Sequence, residues 1–86
     1  MIDADEIQRT LETATRYLEA GRHCCCASEL GAAAAMVDAA GEYSESRGFA
    51  QRMRRLWRRL FSESDNPHLL QDIAERQRDE TRGALR

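Results

Sequence analysis

The stretch whose residue types best suit metal binding or redox chemistry consists of three consecutive cysteines preceded by a histidine. They occupy residues 23–26, "HCCC", and thiol and imidazole groups are the usual ligands of zinc. Zinc sites take ligands in separated pairs, however, and consecutive side chains on a helix point about 100° apart. His23 and Cys26 are the weak candidates that remain, so a metal or redox protein is the least favoured interpretation. We expect no metal and no cofactor, and we expect the cysteines to act as small apolar residues.

A run of arginines, "AQRMRRLWRRLF" at residues 50–61, is the second group of residues that could carry a function. It holds five arginines and one tryptophan, and it contains no acidic residue. On a helix its apolar residues fall on one arc and the arginines cover nearly all of the remainder. Like charges three and four residues apart repel each other, so an acidic partner facing them would explain the pattern. The predicted partner-binding residues are Arg52, Arg54, Arg55, Trp57, Arg58 and Arg59.

Charge is segregated along the chain, although the net charge is only −2. Residues 47–61 carry six arginines, including Arg47, and no acid; the other seven arginines stand against fifteen acids, a balance of −8. One interpretation is that neighbouring acids neutralise the arginine helix within the chain. A second is that the helix docks an acidic surface of a partner protein, as in a regulator, inhibitor or chaperone-like adaptor.

Two further partners fit the same arginines. A nucleic-acid-binding helical dimer could use them on phosphate, although the acidic remainder of the chain would repel a long duplex. An anionic membrane surface also attracts basic amphipathic helices, but this helix needs its apolar arc for the bundle. The function we favour from the sequence is a protein-binding module, with the nucleic-acid-binding dimer as the alternative.

Catalysis finds no support in the sequence. We see no glycine-rich phosphate loop, no nucleophile motif and no paired carboxylates in an apolar setting, so we expect no enzyme. The N-terminal "MIDADEIQRT" lacks the basic and apolar regions of a secretory signal, and the three cysteines make no disulfide framework, which favours the cytoplasm. No stretch is apolar for long enough to span a membrane. All thirteen basic residues are arginine, which indicates a GC-rich genome, as in a bacterium or its phage.

The elements that must position these residues are helices. β-branched residues are sparse, and apolar residues recur at steps of three and four. The predicted fold is all-α: a small antiparallel bundle of three or four helices in a single domain, residues 1–86, which dimerisation could complete. The predicted helices span 3–20, 22–41, 44–62 and 66–82. The expected core of this bundle consists of Leu11, Leu18, Leu30, Val37, Met53, Leu56, Leu60 and Ile73.

The second predicted helix is apolar nearly all round, which is typical of a buried helix. We therefore expect it at the centre of the fold or at a subunit interface, ending at Gly41. Its small residues would let another backbone come close, and their number suggests a homodimer or higher oligomer. The predicted self-association residues are Ala27, Gly31, Ala34 and Ala35.

Local signals predict where several helices begin and end. Gly21 is the first stop signal, and acidic residues in the opening turns of the first helix suit the helix dipole. Ser44 or Ser46 is expected to cap the third helix. Asn66 is expected to cap the fourth, with Pro67 at its first position.

Overall fold

The part of the chain that the structure describes forms four α-helices. A computed structural model describes residues 2–41 and 44–85, with side chains in the second range from residue 48 onward; the predicted caps Ser44 and Ser46 and the side chain of Arg47 lie outside this description. The helices are α1 (Ala4–Glu19), α2 (His23–Ala40), α3 (Ser44–Glu63) and α4 (Pro67–Ala84). The described residues contain no strand, which confirms the all-α fold. Each observed helix end lies within two residues of its predicted position.

Local hydrogen bonds explain the helix ends. The Asp3 side chain accepts a hydrogen bond from the backbone N–H of Asp5 at 3.1 Å, which caps α1. Gly21, at φ +75°, follows the end of α1, and the N–H of Arg22 donates to the carbonyl of Tyr17 at 2.8 Å. That bond and the left-handed glycine form the usual glycine-based helix stop.

The start of α4 follows its predicted signal. The Asn66 side chain accepts a hydrogen bond from the N–H of Leu69 at 3.2 Å, and Pro67 occupies the first helical position. Proline suits this position because its missing N–H would have no partner inside the helix. The prediction of this cap is confirmed.

Helix α2 lies at the centre of the fold, as predicted. It contacts α1, α3 and α4, whereas α4 makes little contact with α1 or α3 among the described residues. Helix α4 approaches α2 closely at Gly31, which lies against the backbone of Ala74. A Cβ atom at position 31 would lie 2.9 Å from the carbonyl carbon of Ala74 and 3.0 Å from its Cα, so the packing requires glycine.

The hydrophobic core lies where α1, α3 and α4 meet the faces of α2. Four of the predicted core residues are fully or almost fully buried: Leu11, Leu18, Leu30 and Leu60. The other four are partly buried and pack against the core from its edge, so they contribute less than expected: Val37, Met53, Leu56 and Ile73. Five further residues on the apolar faces of their helices were not among the expected core and are also buried: Ile7, Ala14, Ala33, Phe49 and Leu70.

Candidate functional site

The arginines of α3 whose side chains the structure describes lie on its outward face or at the edge of that face. Helix α3 contacts α1 and α2 and buries Phe49 and Leu60 there, so the amphipathic pattern turns its charged side away from the core. Arg52 is half-buried at the edge of this face. We call the four exposed arginines the arginine ridge: Arg54, Arg55, Arg58 and Arg59.

Two of the predicted partner-binding arginines already have polar contacts within the chain. Arg59 Nε donates to Glu63 Oε2 at 3.0 Å, an exposed pair one turn apart on the same helix. Such exposed pairs contribute little, about 0.3–0.5 kcal/mol. Arg52 Nη1 donates to the side-chain oxygen of Gln8 on α1, which is a neutral group. Neither contact brings a carboxylate of another helix to α3.

The other three arginines have no ion pair or side-chain hydrogen bond among the described residues: Arg54, Arg55 and Arg58. The described acids of α1, α2 and α4 form no ion pair with the arginines of α3 from Arg52 onward. The neutralisation considered from the sequence is thus limited, among the described residues, to Glu63 on α3 itself. The ridge keeps three guanidinium groups that can donate to an external acceptor.

An aromatic pair borders one side of the ridge. The ring centroids of Trp57 and Phe61 lie 4.9 Å apart with an angle of 39° between the ring planes. Trp57 is half-buried against the core, whereas Phe61 keeps 38% of its surface exposed. At the helical period, these two residues share an arc of about 100° with Arg54 and Arg58. Unpaired cations and an exposed aromatic ring therefore adjoin on one side of α3.

The three cysteines do not behave alike. Cys26 is fully buried, which confirms its expected role as a small apolar residue, but Cys24 and Cys25 are exposed and that expectation is wrong for them. Burial raises the pKa of the Cys26 thiol to about 11, an effect that the positive charge of Arg59 partly offsets. Consecutive side chains on a helix point about 100° apart, so the three thiols face different directions and, of the three, Cys26 faces the core.

The metal candidates gain no further ligands. Cys26 lies in the core, and His23 is half-buried at the start of α2. Within residues 2–41 and the described part of 44–85, no three histidine, cysteine or acidic side chains gather in a way that could hold a metal ion. These two residues therefore stay without a third ligand from that part of the chain.

The predicted self-association residues require a correction. Ala27, Gly31 and Ala35 are buried within the chain, and Gly31 packs against the α4 backbone. The small side chains do allow a close backbone approach, but α4 of the same chain makes it where a second subunit was expected. Ala34 is half-buried. Self-association itself stays a prediction, and these buried residues no longer support it.

A charged cluster between α2 and α4 was not anticipated. Asp38 Oδ2 accepts from Arg78 and lies 3.8 Å from Arg82 Nη2, and all three side chains are partly exposed. Nearer the middle of α2, Ser28 Oγ lies 3.3 Å from Gln77 Oε1. These side chains are far apart in the sequence, so no spacing rule could have paired them. These polar contacts lie at the rim of the apolar interface between α2 and α4.

No helix in the described part of the chain is apolar over enough residues to cross a membrane.

No protein family, curated protein or solved structure matches this chain. The candidate site is therefore the basis for inferring its function.

Proposed function

We propose that the chain is a small protein-binding module, of the kind found in regulators, inhibitors and chaperone-like adaptors. It docks an acidic surface of a partner protein through the arginine ridge and Trp57. The observation that carries this proposal is that Arg54, Arg55 and Arg58 have no ion pair among the described residues, on a helix whose apolar side holds the bundle together. These three guanidinium groups, which have no counter-charge among the described residues, are available to an external acid.

The energetics of α3 favour an acidic partner. Arg54 and Arg58 are four residues apart and Arg55 and Arg58 three apart, so each pair costs the free helix about 0.2–0.5 kcal/mol. A carboxylate lying between two guanidinium groups removes this repulsion. It also gains charge-assisted hydrogen bonds in the forked geometry that arginine offers. Binding would therefore stabilise α3 as well as the complex.

The surrounding charge supports a protein partner over nucleic acid. Outside residues 47–61 the chain has seven arginines and fifteen acids, a balance of −8 that would oppose a phosphate backbone. Trp57 is partly covered by the core and by Phe61, which limits the face it can offer to a base. Several acids on α1 are exposed and add to the opposing field: Asp5, Glu6, Glu12 and Glu19.

The test reverses the three unpaired charges and leaves the arginines with internal contacts untouched. The variant is Arg54→Glu/Arg55→Glu/Arg58→Glu. The matched control reverses three exposed arginines elsewhere, Arg9, Arg22 and Arg76, and so changes the net charge equally. Both variants are checked for retained helicity by circular dichroism.

Wild-type and variant chains are used to capture proteins from an extract of the cells that encode them, and each captured protein is then purified and titrated. We expect a partner that binds the wild type and the control and loses at least about tenfold in affinity for the ridge variant. A ridge variant that keeps every partner at wild-type affinity would contradict the proposal. So would steeply salt-dependent binding of the wild type to random-sequence DNA or RNA.

A further inference from the structure

We infer, as a refinement that rests on the proposed function, that the surface bound by this chain is an amphipathic acidic helix of the partner. Such a helix packs on the side of α3 that carries Trp57 and Phe61, with its carboxylates on Arg54 and Arg58. We call these four residues the aromatic side of α3. The inference adds a partner shape and a specific half of the ridge to the general acidic partner proposed above.

The first argument is the exposure of the aromatic pair. Phe61 keeps 38% of its surface in water, although it stacks on Trp57 within 4.9 Å. Aromatic and arginine side chains are the residues that most often dominate binding at protein interfaces. A ligand that brought carboxylates alone would leave this apolar surface in water, whereas a ligand with an apolar row would cover it.

The second argument is that the opposite side of α3 is less suited to binding. Arg59 already pairs with Glu63, and Arg52 donates to Gln8. This leaves Arg55 as the unpaired cation on that side among the described residues, with no exposed large apolar residue of α3 beside it. Unpaired charge and exposed apolar surface coincide on the aromatic side.

The third argument comes from spacing. Trp57 and Phe61 are one turn apart, as are Arg54 and Arg58, so the two rows run side by side with a repeat of about 6 Å along α3. An α-helix with apolar residues in one row and acids in the next has the same repeat and can match both rows at once. Such a ligand satisfies the cations and the exposed ring together.

The experiment titrates the full chain with four defined probes. The first is a synthetic glutamate/leucine helix with its leucines on one face, and the second has the same composition in scrambled order. The third is polyglutamate, and the fourth is a vesicle containing anionic lipid. Trp57 is the single tryptophan of the chain, so its emission and its quenching by neutral acrylamide report contact at the aromatic side directly.

We expect the amphipathic helix to bind about tenfold more tightly than the scrambled peptide and to protect Trp57 from acrylamide, as a buried hot-spot aromatic requires. Phe61→Ala should abolish most of this preference, since it removes an exposed ring that is not one of the buried core residues. Arg54→Glu should weaken binding more than the matched reversal Arg55→Glu on the other side of the ridge.

The remaining outcomes separate this inference from the proposed function. Equal affinity for the three acidic peptides, lost in the triple ridge variant, overturns the amphipathic-helix inference and leaves the acidic-partner proposal standing. Protection of Trp57 by vesicles and not by peptides overturns it in favour of a membrane surface. No binding to any acidic peptide, together with no ridge-dependent partner in the capture experiment, overturns both.

Discussion

Replacement of Gly31 by alanine tests the close backbone contact between α2 and α4. An added Cβ would lie 2.9 Å from the carbonyl carbon of Ala74 and 3.0 Å from its Cα, and closer still to its oxygen. The obstacle is backbone, so no side chain can rotate away and α4 must move off α2. Overpacking costs about 1–3 kcal/mol, and a backbone obstacle puts the cost near the upper limit. Alanine recovers about 1 kcal/mol of helix propensity, which leaves a net loss of about 2 kcal/mol.

The assay is thermal and urea unfolding of wild type, Gly31→Ala and the matched control Gly48→Ala. A loss of about 2 kcal/mol lowers Tm by roughly 8–16 °C in a chain of this size. A Cβ at Gly48 meets no atom within 4 Å, so the same substitution there should raise the free energy of unfolding, by about 0.5–1 kcal/mol. The reasoning is refuted if Gly31→Ala is as stable as wild type, because α2 and α4 then cannot pack with their backbones in contact.

Four further predictions concern the cap of α4, the buried thiol and the charged cluster. Asn66→Ala should cost about 1 kcal/mol in urea unfolding by removing the side-chain oxygen that caps α4, and an unchanged midpoint would contradict that cap. In the folded protein, a thiol reagent at pH 8 should modify Cys24 and Cys25 quickly and Cys26 only on unfolding, as read by mass spectrometry of peptides; equal rates would contradict the burial of Cys26. Burial raises the pKa of the Cys26 thiol from 9.0 to about 11 in the folded protein. The contribution of this thiol to the free energy of unfolding is therefore complete below pH 9 and is lost as the pH rises towards 11. The free energy of unfolding of wild type relative to Cys26→Ala should fall between pH 9 and 11 and stay constant below pH 9. Asp38→Asn should cost at most about 1 kcal/mol, since the two arginines that share this carboxylate are partly exposed, and a larger loss would mean that the cluster is more than a polar rim.

The helices could be predicted because their signals are local. Asn66 and Pro67 mark the start of α4, and Gly21 marks the end of α1, since each acts through a backbone group within a few residues. The central position of α2 also followed from its sequence, because a helix that is apolar nearly all round has to be covered on most faces.

The sequence does not predict which helix or subunit covers each face of α2. Gly31 and its small neighbours show that another backbone comes close, but the pattern is the same whether that backbone belongs to α4 or to a second subunit. The contacts of the individual arginines could not be predicted from the sequence either. The contacts of Arg52 with Gln8 and of Arg59 with Glu63 depend on rotamers and on helix placement, whereas composition shows only that the charges are segregated.

The packing of α4 on α2 connects the fold to the candidate site. A connection of only three residues, 64–66, joins α3 to α4, and helices joined by so short a connection commonly pack against each other. Instead the glycine at position 31 admits the α4 backbone to α2, and α4 makes little contact with α3 among the described residues. Since α4 is drawn to α2, it does not cover the aromatic side of α3, and Phe61 stays accessible beside unpaired arginines. The close packing of α4 on the small residues of α2 thus leaves this side of α3 exposed.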